Sequence, residues 1–213
     1  MRTHWAVLAA CAALLAAPLR AEDVAGRFDY YVLALSWTPN WCLREGDARG
    51  SEQCDPRQDF GWTLHGLWPQ YERGYPQECA TQTPGPSRRA REAMVDIMGS
   101  AGLARHQWRK HGRCSGLDGA EYLDLSRDAY ESVTRPPVLR RLDQDVTLPA
   151  SVIEEAFLEA NPAMRPDMLT VTCRDGQIAE VRVCLSKALV PRNCGADVVR
   201  DCQLDDAAFA PIR

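Results

Sequence analysis

Apolar and polar positions alternate with period two over residues 28–37 (FDYYVLALSW). Tyr31, Leu33, Leu35 and Trp37 share one face, and Tyr30, Val32, Ala34 and Ser36 share the other. Both faces are largely apolar, which predicts a strand covered on both sides in the middle of a sheet. A second strand is expected over residues 60–67, with Trp62 and Leu64 facing one way and Thr63 and His65 the other. Residues 168–173 and 177–185 flank Asp175-Gly176, the signal for a hairpin with a two-residue turn. The second strand of that hairpin should place Ala179, Val181, Val183 and Leu185 on one face.

Between these strands the period changes to that of helices. Ala90, Met94, Ile97 and Met98 predict a helix over 88–98 that Gly99 can stop. A short helix is expected over 103–110. Another is expected over about 121–133, with Tyr122, Leu125, Ala129 and Val133 on its buried stripe. Val152, Ile153, Ala156, Phe157 and Ala160 predict one more, starting near Pro149 and halted at Asn161-Pro162. Residues 38–59, with Pro39, Gly46, Gly50 and Pro56, read as a loop stapled between Cys42 and Cys54. The segment 69–87 reads as a long loop, a kind that is often functional. Strands at both ends with helices between them predict an α+β single domain.

With 46% hydrophobic and 25% charged residues among 213, the chain is neither disordered nor collagenous nor a multi-span membrane protein. Residues 1–21 change the totals. They have a basic start, an apolar run over 5–17 and small residues before Glu22, which is the pattern of a secretory leader. The run is too short to span a bilayer. The expected division is therefore a leader over 1–21 and a single domain over 22–213, exported to the periplasm or the medium. Loss of the leader removes Arg2, Arg20, Cys11 and His4, so the net charge goes from −4 to −6. Eight cysteines and three histidines remain. An even cysteine count in an exported chain suggests internal disulfides in an oxidising compartment, and eight cysteines allow 105 pairings. No C-x-x-C occurs, so the cysteines argue weakly for zinc or redox chemistry.

The three remaining histidines lie in two short segments, WTLHGLWP (62–69) and RHQWRKHGRC (105–114). At 100° per residue a helix over 103–111 puts His106, Lys110, Gln107 and His111 on one broad face. Lys110 is one of only two lysines in the chain, and Arg105, Arg109 and Arg113 join it without an intervening acid. Cleavage of a phosphodiester by a neighbouring hydroxyl needs a base, an acid and a cation beside the phosphorus. Imidazole suits both proton transfers, and lysine suits the third role. RNA carries its own nucleophile in the 2′-hydroxyl, so this chemistry requires no metal. Two blander readings stand beside it: a solvated basic helix face, and a zinc site, disfavoured because His106 and His111 are five apart where helical ligands prefer four.

At these residues the chain resembles the ribonuclease T2 family of metal-independent acid ribonucleases. WTLHGLWP is similar to the family's first segment. HQWRKHGRC (106–114) is similar to its second, usually H-E-W-x-K-H-G-x-C, and FDYYVLALSWTPNWC (28–42) and IAEVRVC (178–184) also match. The resemblance implies a disulfide-stapled α+β domain with a central, mainly antiparallel sheet flanked by helices. It also implies an endoribonuclease acting on single-stranded RNA through a 2′,3′-cyclic phosphate. His65 would be the general acid, His111 the general base, Lys110 the cation on the phosphorane and His106 a phosphate ligand. Trp68 would belong to the substrate pocket, although core packing is an equal reading, and Tyr71 or Tyr75 would stack on a base. The implied disulfides are Cys42–Cys54, Cys79–Cys114, Cys173–Cys202 and Cys184–Cys194. Neither metal nor cofactor is implied, the partner is RNA, and the chain is expected to be a monomer. One position departs: Gln107 stands where the family has Glu, and an amide cannot carry charge or shuttle a proton. Activity is expected to survive, with the acidic limb of the pH profile lowered. The rival reading is an RNA-binding or toxin-like protein whose catalysis Gln107 has weakened.

Overall fold

The computed structural model describes residues 23–213. The leader expected over 1–21 lies outside the described residues. The alternation in the first strand is answered by burial on both sides: β1 (Tyr30–Trp37) buries every residue but Ser36. A helical turn, α1 (Thr38–Trp41), leads on to β2 (Trp62–Gln70). Then come α2 (Arg88–Glu92), α3 (Val95–Met98), α4 (Ala101–Lys110) and α5 (Gly119–Ser132). The chain continues with β3 (Val146–Leu148), α6 (Ala150–Ala160), β4 (Leu169–Arg174), β5 (Gln177–Leu185) and β6 (Ala207–Phe209).

The strands form one six-stranded sheet in the order β2-β1-β5-β6-β3, with β4 also paired to β5. All pairs are antiparallel except a single parallel pairing of Gln177 with Ala208. β4 and β5 are joined by Asp175-Gly176, both at positive φ (52° and 78°), as a hairpin turn matched to strand twist requires. One face of the sheet, carrying Leu33, Leu35, Trp37 and Val183, is packed against Met98, Trp108, Leu123 and Phe157 from α3 to α6. This is the α+β architecture expected from the order of periods. The other face carries only a small cluster around Tyr30, Val32 and Cys184, and the functional groups gather there.

Two bulges set which side chains face which way. Ala34 pairs with Gly66 and Leu35 with Leu64, so His65 is an extra residue in β2. Leu64 and Leu67 both reach the core because of it, although they are three apart. Likewise Thr172 pairs with Glu180 and Cys173 with Ile178, leaving Ala179 unpaired. Ile178 therefore joins the core beside Val181 and Val183, and Ala179 does not, contrary to the alternation expected from the sequence.

Other boundaries also differ. β2 runs on through Pro69 to Gln70, which is tolerated because β2 is the outermost strand. The helix expected over 88–98 breaks at Ala93-Met94, where the Arg127 guanidinium takes the Ala93 carbonyl (2.7 Å). The helix expected from 103 starts at Ala101, because the Ser100 hydroxyl accepts from the Gly102 amide (3.1 Å). Residues 38–59 are mostly helical turns rather than irregular loop, including a π turn at Cys42–Gly46. Val152 is 40% exposed, leaving Ile153 and Phe157 as the buried stripe of α6.

Four disulfides cross-link the domain: Cys42–Cys54, Cys79–Cys114, Cys173–Cys202 and Cys184–Cys194. They are the pairs the resemblance implies. Cys79–Cys114 ties the long loop after β2 to the turn that follows α4. No helix among the described residues is long and apolar enough to cross a membrane.

Candidate active site

The site is assembled where α4 meets β2. Gly66 permits the approach: a Cβ there would lie 2.3 Å from Gln107 Oε1 and 2.4 Å from Trp68 Nε1. With that space open, the Trp68 indole N–H donates to Gln107 Oε1 (2.8 Å), fixing the strand to the helix. α4 ends at Lys110, and His111 leaves the helical line with φ −119° while its amide still donates to the Gln107 carbonyl (2.9 Å). That turn lays the His111 ring on Trp68, with centroids 5.2 Å apart and planes at 30°. From the β2 bulge, His65 meets the same indole edge-on, at 5.2 Å and 80°. Trp68 thus stands between the two imidazoles, and it belongs to the site rather than to the main core.

Two charged residues that sequence reasoning passed over complete this arrangement. His65 Nδ1 lies 2.5 Å from Glu180 Oε1. The Arg182 guanidinium donates twice to Glu180 Oε2 (2.9 and 2.7 Å) and lies over Trp68 at 5.4 Å. Burial pushes the Glu180 carboxyl up, but His65 and Arg182 outweigh it and bring it down to about 2. It is therefore ionised, can only accept, and the proton in the short contact sits on His65 Nδ1.

His111 is in the opposite situation. Burial, with the Lys110, His65 and His106 charges behind it, pushes its imidazole down to about 3. His106, more exposed, is lowered by partial burial and by Lys110. A histidine with an ordinary value of 6.5 and a folded value of about 3 binds more protons unfolded than folded in that interval. Stability contributed by this group should accordingly rise with pH from about 3 to 6.5 and be level above. Thermal unfolding of His111→Gln beside the parent at pH 4 and pH 7 checks this. The deficit at pH 4 should shrink in the variant, and an unchanged deficit would refute the assignment.

A cavity of about 320 Å³ opens over these groups, lined by His65, Trp68, Tyr75, His106, Gln107, Lys110, His111 and Arg182. A wider recess of about 760 Å³ continues beyond His65 and His106, bordered by Arg44, Arg49 and Arg174. Tyr75 is half exposed with its ring 6.3 Å from His111. Tyr71 is not brought to the cavity: its hydroxyl donates to Asp23 (3.1 Å) and its ring packs on the core. Of the four cations in 105–113, Lys110 lines the cavity, whereas Arg105 and Arg109, on other sides of α4, and Arg113, in the turn after it, line neither recess.

The fold, a disulfide-stapled sheet with two histidine-bearing segments meeting on its open face, is shared with solved ribonucleases. An RNase-related protein from Calystegia sepium superposes with a TM-score of 0.68 at 19% identity, covering 88% of this chain and 99% of that one. RNase NT, solved in complex with 5′-AMP, superposes with a TM-score of 0.59 at 19% identity, over 87% and 99%. The model of the ribonuclease T2 family matches residues 28–194, and the chain belongs to that family. A "Ribonuclease" of Aeromonas hydrophila is 39% identical over 118 residues, 55% of this chain and 52% of its own length. The chain spans about half the length of the curated relatives it matches.

Proposed function

We propose that residues 22–213 form an endoribonuclease domain that cleaves single-stranded RNA by transesterification to a 2′,3′-cyclic phosphate, then hydrolyses that product more slowly to a 3′-phosphate. The observation that carries this reading is the placing of His65 and His111 on either side of Trp68, above a cavity that also holds Lys110.

In the first step His111, neutral above about pH 3, accepts the 2′-hydroxyl proton. The 2′-oxygen bonds to phosphorus, and the bond from phosphorus to the 5′-oxygen breaks. His65 gives its Nε2 proton to that leaving oxygen. Lys110 offsets the charge on the pentacoordinate phosphorus, His106 holds a non-bridging oxygen, and Tyr75 stacks on a base. In the second step the roles exchange: His65 takes a proton from water, and His111 returns one to the 2′-oxygen. The nucleophile comes from the substrate, so no metal has a part in this scheme. Gln107 serves here as the acceptor that orients Trp68, a duty that needs no charge.

Purified, oxidised protein incubated with a defined RNA in EDTA should yield cyclic-phosphate and then 3′-phosphate ends, and should leave DNA intact. Inactivation by EDTA, or RNA binding with no cyclic product, would overturn the reading. In the same assay Gln107→Glu should move the acidic limb of the pH profile upward, because a carboxylate near His111 favours the imidazolium, which cannot act as base. A limb that stays in place would show that position 107 does not influence His111. Export to the periplasm or medium behind a leader over 1–21, and a monomeric state, complete the proposal. They are supported by the leader pattern and by four disulfides.

A further inference from the structure

The segment 178–184 matched the family pattern without any residue in it receiving a role, and it contains Glu180, a buried carboxylate that touches a site histidine. We infer that Glu180 is a positioning residue for the reaction: its carboxylate holds His65 by Nδ1 so that the Nε2 proton is aimed at the leaving oxygen. The inference rests on the endoribonuclease reading and adds a residue to it.

His65 lies on β2 and Glu180 on β5, with β1 between them. Strands two apart in a sheet are separated by about 10 Å, so the two side chains must reach across β1 to meet. The residues they cross are Ala34 and Ser36, both small, and Ser36 pairs in register with Glu180. Each of the meeting side chains stands at or beside a bulge, His65 as the extra residue of β2 and Glu180 next to the extra Ala179 of β5. A bulge re-aims the side chains around it.

Within the contact the two carboxylate oxygens divide the work. Oε2 accepts from Nε and Nη2 of Arg182, while Oε1 faces His65 Nδ1, with the Ser36 hydroxyl at 3.4 Å. A buried carboxylate is costly unless paired in this way. Arg182 alone would have satisfied the charge, and it leaves one oxygen free for His65. The charged and titratable groups that line the cavity with His65 are Tyr75, His106, Lys110, His111, Arg182 and Asp197. During cleavage the Nε2 proton passes to the 5′-oxygen as its bond to phosphorus breaks. The Nδ1 proton stays shared with Glu180, which remains ionised throughout.

Glu180→Gln tests this. Arg182 still demands an oxygen, so the amide must turn its NH2 toward His65 Nδ1. Nδ1 then has to accept, and the imidazole is held neutral, which makes it a poor acid. Two substrates separate this from a structural role. A dinucleotide must have its leaving alkoxide protonated, whereas a nucleoside 3′-(4-nitrophenyl phosphate) expels a phenolate that needs no proton. Glu180→Gln should lower kcat on the dinucleotide by at least about 10-fold, up to the 10²–10⁴-fold ascribed to a general acid, with KM little changed. Cleavage of the aryl ester should stay near that of the parent, which also reports an intact fold. The double variant His65→Ala/Glu180→Gln should be no slower on the dinucleotide than His65→Ala.

Equal loss on both substrates, no loss on either, or additive loss in the double variant would overturn the inference while leaving the endoribonuclease reading in place. A parent protein that releases cyclic phosphate from neither substrate would overturn both. If Glu180→Gln does not fold, Glu180→Asp keeps the charge beside Arg182 but draws it back from His65. It should give the same split between substrates at smaller size, and loss of the split would count as refutation.

Discussion

His111→Ala and His65→Ala should each slow RNA cleavage by about 10²–10⁴-fold, the range for removing a positioned acid or base. The loss should appear in kcat rather than KM, because Lys110, His106 and Tyr75 remain to hold the substrate. The two variants differ in what else they disturb. His111 is buried against Trp68 and carries a ring nitrogen, Nδ1, without a hydrogen-bond partner among the described residues. Its removal therefore takes away packing but leaves no polar group stranded. His65→Ala, by contrast, deprives Glu180 of a partner at Oε1, so it should cost more stability as well as activity. Single-turnover cleavage of a defined RNA, with thermal unfolding of each variant, measures both effects. Parent-like cleavage by either alanine variant would remove that histidine from the mechanism.

Much of this arrangement was legible along the chain, and what was not has a common physical cause. The period-two pattern of β1 gave both of its faces correctly, because a strand buried on two sides carries its whole pattern in its own residues. The β4–β5 turn was equally local, since Asp175-Gly176 is suited to the positive φ the turn needs. The two histidine segments were found from residue types and spacing alone. The bulges at His65 and Ala179 were not found, because an extra residue in one strand is defined only against its partner. Those two shifts account for the misplacing of Ala179 and for the silence about Glu180, which in V-R-V surroundings reads as an ordinary polar strand position. A signal was present: Glu180 and Arg182 are charges two apart, on the side of the strand opposite the apolar Val181 and Val183. β3 and β6, three residues each, are too short to show any period. Tyr71 and Tyr75 could not be told apart in a loop without periodicity, and only the fold sends one to Asp23 and the other to the cavity.

Gly66→Ala should damage the site without touching any group that exchanges a proton. The added methyl would lie 2.3 Å from Gln107 Oε1, 2.4 Å from Trp68 Nε1 and 2.9 Å from Gln107 Cδ. Neither neighbour is a free end that can swing aside, since the two are hydrogen-bonded to each other and Gln107 is buried. Relief requires that the bond be broken or that α4 move away from β2. Either way Trp68 shifts, and with it the surface that both imidazoles pack on. A displacement of about 1 Å in such a constellation costs roughly 10²-fold in rate, and overpacking of this kind costs about 1–3 kcal/mol in stability. Gly66→Ala is therefore expected to lose about 10²-fold in kcat on the dinucleotide when assayed well below its own unfolding temperature, and to lose activity on the aryl ester as well. That loss on the aryl ester sets it apart from Glu180→Gln, because a displaced Trp68 disturbs the base His111, which both substrates need, as well as the acid His65. Full activity in Gly66→Ala would mean that the spacing between β2 and α4 is not what places the histidines.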